Sequence, residues 1–545
     1  MKLFRFTPVL FAGIVLAACT DMNEIKPQSG TMLASQKQET IAAVPSRASA
    51  SFTGLFRPLG NPYYLGYNTP DDFGVLMMLF CNDLESADAT ASDNNYNWFS
   101  VCGEYSSRTA SYRNPMIRYR TPYMIIANVN DFLAGFPEDV TDESSLYMIG
   151  QAKALRAYAY MLLSADFQFR YVGHESDPAV PISSPDVEDP THNPRASMEE
   201  IYKIVMDDLN SAVELLEGYD RPTKKYIDKN VAYGLRARAN LAMGKYAEAA
   251  ADAEKAAAGY EPASIAEVSK PSFQDISEHN WIWGYDMTKD EAKASRYATT
   301  SSWLRSFSAW AYAAGTATYT CINKILYDKI PQTDVRKGWW VNADLYSPLL
   351  DGLTWDAGDA GSASGQEIAD FEYDDKMAFQ PYTNVKFGCT PIGTTDNAED
   401  MPLMRVEEMI LIQAEGYAKS GNEAKGRQIL EDFVKTYRDP QYSASAGGRS
   451  FADEVWFQRR VELWGEGFGI HDTKRLNKPM VRFLGTAEST NVSPAFRYNI
   501  AADDGWLNMR FNNGELNTNF SVVDNTGGDL PKMDQNPTLR DGVTD

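Results

Sequence analysis

The sequence predicts a mostly α-helical protein, built from helical hairpins and carrying long loops with a few short strands. Apolar residues recur at helical spacing in three paired stretches, at 150–217, 230–258 and 403–437. Residues that start and stop helices stand at the ends of these stretches. Between 271 and 400 the helical periodicity fades, and aromatic, glycine and aspartate residues become frequent. This middle part therefore favours loops and short strands lying on a helical scaffold.

Composition limits the classes of partner. The chain has 545 residues and a formal net charge of −23, and it contains no basic stripe. A surface of this charge argues against nucleic acid, whose phosphates require lysine and arginine. Aromatic residues make up 12% of the chain, including 30 Tyr and 11 Trp. They suit a protein that binds flat, polar ligands, but they also suit packing between helices.

The N-terminus has the features of an export signal. Lys2 and Arg5 precede an apolar run that ends at Ala18 and is too short to span a bilayer. We therefore interpret residues 1–18 as a signal peptide. No later stretch of about 18 apolar residues follows, so the mature protein is expected to be anchored to a membrane rather than to span it.

The end of this signal resembles the bacterial lipobox, with Leu16, Ala17 and Ala18 before Cys19. In that motif the cysteine thiol accepts a diacylglyceryl group, and several acyl chains on one residue give durable anchoring. The alternative is an ordinary secretory signal with an incidental cysteine. The polar residues 19–50 that follow are interpreted as a lipidated tether.

The remaining cysteines show no metal-binding pattern. Cys81, Cys102, Cys321 and Cys389 lack the spacing of metal ligands, and the chain has only 4 His. We predict neither a metal site nor a cofactor. A disulfide between Cys81 and Cys102 and a set of free buried thiols both remain open.

The N-terminal part, 51–270, contains most of the predicted helices. A helix is expected from Thr69 to Phe80, followed by a long polar loop up to Arg113. Ser197 and Glu200 form a capping box, and Gly244 lies at the turn of a hairpin. The other segments predicted in this part are a helix at 115–136, a helix at 150–169 and a Pro-rich connection at 178–194.

The middle and C-terminal parts are predicted to be 271–400 and 401–545. Trp281–Tyr285 alternates like a strand. Gly421 ends one helix of the 403–437 hairpin, and Asn422 caps the next. Further along, Ser450-Phe-Ala-Asp453 fits a capping box before an apolar run.

That run leads into a charged segment, 459–475, which permits two interpretations. One is an ion-paired helix end. The other is an acid/base site built from Glu462, Glu466, His471 and Asp472. No nucleophile or substrate pocket can be identified beside these four residues in the sequence.

Several segments resemble one known family. RRVELWGEGFGIHDTKR is similar to the "ER-ELAFEG-R-FDL-RW" signature of the SusD/RagB family, and LMRVEEMILIQAEGYAKSG and QAKALRAYAYMLLSADFQF resemble two of its helices. The hairpin around Gly244 resembles a tetratricopeptide unit. The resemblance implies a tetratricopeptide-like scaffold and a non-catalytic outer-membrane lipoprotein exposed at the cell surface. Such proteins capture nutrients, typically glycans and sometimes peptides, for a SusC-like TonB-dependent transporter.

Two other functions remain open. A surface glycoside hydrolase would need paired carboxylates, but with 74 Asp plus Glu such pairs arise by chance. No GxSxG, HExxH or phosphate-loop motif is present. A tetratricopeptide scaffold that binds peptides would share the same hairpins.

The candidate ligand site comes from aromatic residues next to polar ones. Sugar rings present apolar faces to aromatic planes, and their hydroxyls need neighbouring amides or charges. Tyr96, Asn97 and Trp98 supply both kinds of group within a long loop, in the region where starch-binding relatives place an aromatic platform. Trp303, Trp310 and Tyr312 fall in a second region that those relatives use. The alternative for each tryptophan is a place in the core.

Overall fold

Helices are the main regular secondary structure in the computed structural model of the chain. The structure describes residues 34–43, 46–91, 98–308, 313, 319–353, 379–445, 447–528 and 530–545. Five of the predicted functional residues lie outside these ranges: Cys19, Tyr96, Asn97, Trp310 and Tyr312.

The α-helices follow one another along the chain with loops of varied length. They are α1 Ala34–Ala43, α2 Ser46–Gly54, α3 Gly74–Glu85, α4 Ser100–Glu104, α5 Arg113–Leu133, α6 Glu143–Phe167, α7 Met198–Leu215, α8 Lys229–Ala242, α9 Tyr246–Ala257, α10 Ile265–Val268, α11 Lys289–Ala292, α12 Thr300–Leu304, α13 Lys324–Tyr327, α14 Val406–Lys419, α15 Glu423–Tyr437, α16 Phe451–Glu462, α17 Gly469–Arg475 and α18 Asn513–Thr518.

Seven of these helices, α5 to α9 together with α14 and α15, form a stack. In it, α5 packs on α6, α6 on α7, α7 on α8, α8 on α9, α9 on α14 and α14 on α15. The helices α9 and α14 are neighbours in space although 148 residues separate them in the sequence. The hairpin scaffold predicted from the sequence is therefore confirmed, and 258–405 is an excursion from it.

Small residues allow the close approach of neighbouring helices. A Cβ atom on Gly416 would lie 2.6 Å from the carbonyl oxygen of Tyr246, and one on Gly426 would lie 2.5 Å from that of Ala414. Either contact would force two backbones apart. Gly421 has a φ of +96°, so it ends α14 in the conformation that glycine favours.

The caps predicted from the sequence are present. Ser197 and Glu200 form the capping box of α7. The Asn422 side chain accepts a hydrogen bond from the backbone of Lys425, and that of Ser450 accepts one from Asp453. Each bond satisfies a backbone N–H that the first turn of a helix cannot satisfy itself. The first residues of two helices differ from the predicted ones. Helix α6 begins at Glu143 rather than at 150, and α3 begins at Gly74 rather than at Thr69.

The strands are short and pair in twos. They are β1 Ala89–Thr90, β2 Pro178–Pro181, β3 Arg195–Ser197, β4 Trp281–Tyr285, β5 Cys321–Ile322 and β6 Met401–Arg405. The antiparallel pairs are β1 with β5, β2 with β3 and β4 with β6. The strand predicted at 281–285 is thus confirmed, and all five of its residues are buried.

The second half of the predicted tether 19–50 is helical where the structure describes it. Helix α2 packs through Phe52, whose ring lies 5.9 Å from those of Phe132 and Tyr226. The Gln38 amide of α1 donates to the Ala134 carbonyl at the end of α5. Within the described part of the chain, no helix combines the length and apolar character needed to cross a bilayer.

Candidate functional site

An aromatic and cationic surface includes Trp98, which lies in the stretch up to Arg113 that the sequence predicts as a long loop. Trp98 is half-buried. The guanidinium carbon of Arg113 lies 5.6 Å from the centroid of its indole and 5.2 Å from that of the Tyr67 ring. Arg120 also lies over Tyr67, at 5.6 Å, and donates to its hydroxyl. We call Tyr67, Trp98, Arg113 and Arg120 the aromatic–arginine surface.

Two neighbouring side chains, Thr69 and Asp71, fix the position of Arg113. Its Nη1 donates to Thr69 Oγ1 at 2.6 Å and lies 3.5 Å from the Asp71 carboxylate. Burial raises the pKa of Asp71, while hydrogen bonding from Thr69 and the charge of Arg113 oppose that rise. The side chain of Arg113 remains 35% exposed. It can therefore donate to a ligand without leaving its partners.

The backbone that presents Tyr67 is also fixed. The two carboxylate oxygens of Asp72 accept hydrogen bonds from the backbone N–H groups of Leu65 and Tyr67, at 3.0 and 2.9 Å. The Asn128 amide of α5 donates to the Tyr64 hydroxyl at 3.0 Å. Hydrogen bonds thus hold the turn that carries Tyr67 both internally and to helix α5. Because the turn is already ordered, less conformational entropy is lost when a ligand binds to it.

Trp303 lies beneath this surface and not on it. Its ring is 2% exposed and packs edge-on against Phe99, with the ring centroids 4.5 Å apart. Its Nε1 donates to the carbonyl oxygens of Tyr297 and Pro70, at 2.9 and 3.2 Å. The structure differs here from the predicted ligand contact, because a covered ring offers no face to a sugar. The residue instead joins α12 to the segments that carry Trp98 and Asp71.

The structure therefore brings the two predicted regions together, through the contact between Phe99 and Trp303. It adds three residues that the sequence analysis missed: Tyr67, Arg113 and Arg120. A signal for Tyr67 was available, since it ends an aromatic run, Tyr63-Tyr64-Leu65-Gly66-Tyr67, placed before a helix. Nothing local in the sequence indicates that Arg113 joins Tyr67 to Trp98.

A second concave feature, of about 150 Å³, lies between α6, α7, α8 and α14 and the segment 466–475. Its walls are largely apolar, and several of its charged groups form ion pairs. Arg238 binds Glu408 at 2.6 Å, and Arg459 binds Asp472 at 2.7 Å. These ion pairs neutralise part of the charge along the cavity wall.

The segment 459–475 forms ion pairs, as the first of its two interpretations predicted. The buried Glu462 carboxylate accepts hydrogen bonds from Arg438 at 2.8 Å and from Arg336 and Arg405 at 3.2 Å. Glu466 binds Arg405 and Lys386, both at 2.8 Å. Burial alone would raise the pKa of Glu462, but the three arginines hold it well below its usual range.

The other two members of the hypothetical acid/base site face different partners. His471 Nε2 lies 2.9 Å from Asp166, while Asp472 pairs with Arg459 and Arg475. The four groups therefore do not converge on one reacting point. Among the described residues, no group of three or more His, Cys, Asp and Glu side chains is arranged to hold a metal ion.

Two family models match this chain. One, described as "Starch-binding associating with outer membrane", matches residues 76–241, and the other, described as "SusD family", matches residues 367–535. Together the two matches span more than half of the chain. The chain belongs to the SusD/RagB family. No curated protein sequence matches this SusD-family chain.

Solved structures share the fold of this SusD-family protein. A SusD-like carbohydrate binding protein from Bacteroides vulgatus ATCC 8482 has a TM-score of 0.69 at 21% identity, over 88% of this chain and 97% of its own. A SusD superfamily protein from Bacteroides thetaiotaomicron VPI-5482 has a TM-score of 0.68 at 20% sequence identity, over 88% of this chain and 99% of its own. A laminarin binding SusD-like protein has a TM-score of 0.62 at 17% sequence identity, over 89% of this chain and 99% of its own. These similarities confirm the predicted fold class.

Proposed function

We propose that the protein is a non-catalytic, cell-surface lipoprotein that binds a glycan and passes it to a SusC-like TonB-dependent transporter in the outer membrane. The aromatic–arginine surface is the observation that carries this proposal. It combines partly exposed aromatic rings with guanidinium groups that still have free donor capacity. The family supports the same direction, since the structural relatives include proteins named for binding carbohydrate and laminarin.

The chemistry of sugars fits this surface. The C–H faces of a pyranose ring are apolar and pack on an aromatic plane, while the hydroxyl oxygens accept hydrogen bonds from arginine. Trp98 and Tyr67 would supply the planes, and Arg113 and Arg120 the donors. We further propose Tyr96, Asn97, Trp310 and Tyr312 as contacts in the same site, with Trp303 supporting it from beneath.

The competing functions are weaker on physical grounds. The carboxylates singled out as a hypothetical acid/base site are buried in ion pairs, whereas a glycosidase acid and its partner must reach the scissile bond. A peptide ligand could also stack on Trp98, and some members of the family take peptides. The acidic chain makes an acidic peptide or a nucleic acid an unfavourable partner, because like charges repel.

A screen of soluble glycans tests the proposal. We expect at least one polysaccharide to retard the purified protein in affinity electrophoresis and its oligosaccharides to give a titration signal in calorimetry. No new reducing ends should appear on prolonged incubation. Release of reducing ends that disappears on substitution of a carboxylate would favour the hydrolase. Binding of peptides with no binding of any glycan would favour the peptide scaffold.

Import requires a partner, because a protein held by acyl chains does not itself cross the membrane. The similarity to the SusD/RagB family therefore implies a SusC-like barrel as partner and the outer membrane as location. We propose that the ligand is held between this protein and the barrel before transport.

Anchoring depends on Cys19 in this proposal. Cys19→Ala is expected to move the protein from the membrane fraction to the soluble fraction, because the thiol that accepts the diacylglyceryl group is gone. Fractionation and immunoblotting measure this, and mass spectrometry of the wild-type N-terminus should find an acylated cysteine. Cys321→Ala is the matched control and should stay with the membrane. An unacylated wild-type terminus would contradict the anchor.

A further inference from the structure

Two buried cysteines face each other next to the aromatic–arginine surface. Cys81 lies on α3 and Cys102 on α4, with exposed fractions of 0% and 1%. Their Sγ atoms are 3.6 Å apart. Helix α4 begins two residues after Trp98. The contact between the two thiols therefore joins the segment that carries Trp98 to the buried helix α3.

The distance between the two thiols is that of sulfur atoms in van der Waals contact. A disulfide has its sulfur atoms about 2.05 Å apart, so side-chain rotation would need to bring the atoms together by roughly 1.5 Å. Cys321, another described cysteine, has different neighbours. Cys321 contacts the hydroxyl of Thr383 at 3.6 Å and the carbonyl of Tyr319 at 3.5 Å. Its polar neighbours are oxygen atoms rather than a thiol.

We propose that Cys81 and Cys102 form a disulfide in the mature protein and that this bond holds the Trp98 segment against α3. The oxidant is a disulfide-containing protein or small molecule. One cysteine thiolate attacks a sulfur of the oxidant and forms a mixed disulfide. That attack breaks the S–S bond of the oxidant and frees its first thiolate. The second cysteine thiolate then breaks the mixed disulfide and frees the other sulfur of the oxidant as a thiolate, so the oxidant gains two electrons and its two sulfurs take up the two protons that the cysteines lose.

We expect the disulfide to form during folding, before the two cysteines are buried. Burial raises the pKa of the Cys81 thiol well above its usual range, and contact with Cys102 adds to the rise. The thiolate that must attack is therefore scarce once α3 is packed. Oxidation before burial, followed by packing of the bonded pair, avoids this obstacle. An exported protein meets a compartment where such exchange takes place.

The bond would have a consequence for the site. The residues between Cys81 and Cys102 include Trp98, so the crosslink closes a loop that carries a proposed ligand contact. Closing this loop reduces the freedom of the unfolded chain and the entropy lost when the loop orders around a ligand. This second consequence rests on the proposed function, whereas formation of the bond does not.

Alkylation followed by mass spectrometry tests the bond directly. The exported protein is denatured and treated with iodoacetamide, with and without prior reduction, and is then digested. We expect a linked peptide pair containing Cys81 and Cys102 in the unreduced sample, and both residues alkylated only after reduction. Cys321 should be alkylated in both samples and serves as the internal control. Alkylation of both Cys81 and Cys102 without reduction would overturn the proposal.

Amide hydrogen exchange tests the effect on the Trp98 segment without any ligand. Peptides covering 98–104 should exchange several-fold faster in Cys102→Ser than in the wild type, and the melting temperature should fall by several degrees. Cys321→Ser removes a buried thiol that has no thiol neighbour and should leave exchange at 98–104 unchanged. Equal exchange in Cys102→Ser and the wild type would refute the claim that the bond holds this segment, even if the bond itself forms.

Discussion

Trp98→Ala should weaken glycan binding by about 30-fold or more, the loss typical of an aromatic residue at the centre of a binding surface. The indole is half-buried and lies beside Arg113, so a sugar ring packed on its exposed part would also come within reach of a guanidinium donor. Removing the indole takes away the apolar plane and leaves Arg113 without one of its two aromatic neighbours. Calorimetry with the glycan found in the screen measures the change.

Trp303→Ala is the matched control for this prediction. Trp303 is 2% exposed and makes two hydrogen bonds through Nε1. Emptying its site should cost about 3–5 kcal/mol of stability, visible as a lower melting temperature, with any effect on affinity following from that loss. Unchanged affinity in Trp98→Ala, together with a lowered melting temperature, would remove Trp98 from the ligand site.

Glu462→Gln should destabilise the protein by about 3–5 kcal/mol, because it leaves Arg336, Arg405 and Arg438 buried around an uncharged group. Glutamine keeps the size of the side chain, so the loss reports charge and not a cavity. Denaturant unfolding measures it. Glu423→Gln is the control: Glu423 is 56% exposed and pairs with Arg427 one helical turn away, so its loss should stay below about 1 kcal/mol.

The dependence on pH gives this prediction a second test. The arginines keep the folded-state pKa of Glu462 below that of the unfolded chain. The charged carboxylate therefore stabilises the fold fully above the unfolded pKa, about 4.3 for glutamate, and this contribution is lost as pH falls towards the folded pKa. The difference between wild type and Glu462→Gln should be constant near neutral pH and should shrink below about pH 4.3. A difference that grows on acidification would contradict the assigned sign.

The scaffold could be predicted because its signals are local. The capping box of Ser197 and Glu200 and the stop at Gly421 depend on residues within a few positions of each other. Helical periodicity needs no knowledge of the rest of the chain either. Helix starts were less accurate, because α6 extends to Glu143 through residues whose packing partners lie elsewhere in the sequence.

The candidate site was predicted only in part, because it depends on contacts between distant segments. A large aromatic in a polar loop drew attention to Trp98, but the guanidinium over its ring comes from Arg113 of α5, which also lies over Tyr67 in the turn before α3. In the sequence, Trp303 is surrounded by aromatic and polar residues, and a ligand-binding tryptophan would have similar neighbours. One of the rings that cover it is Phe99, roughly two hundred residues earlier in the chain. Sequence position alone does not distinguish a platform from its support.

The pairing of β4 with β6 has a consequence for how the family can change. Tyr285 lies opposite Met401, and the Asp400 carboxylate accepts a hydrogen bond from the backbone N–H of Met287 at 2.8 Å. Residues 286–400, the greater part of the excursion 258–405, therefore begin and end at neighbouring points. The entropy of closing such a loop grows only with the logarithm of its length, so doubling the length costs roughly 0.6 kcal/mol. An insertion at an exposed turn of this segment, such as Asp351-Gly352, would therefore cost the helices little, whereas a change near the buried Trp339 or Lys386 would disturb the core.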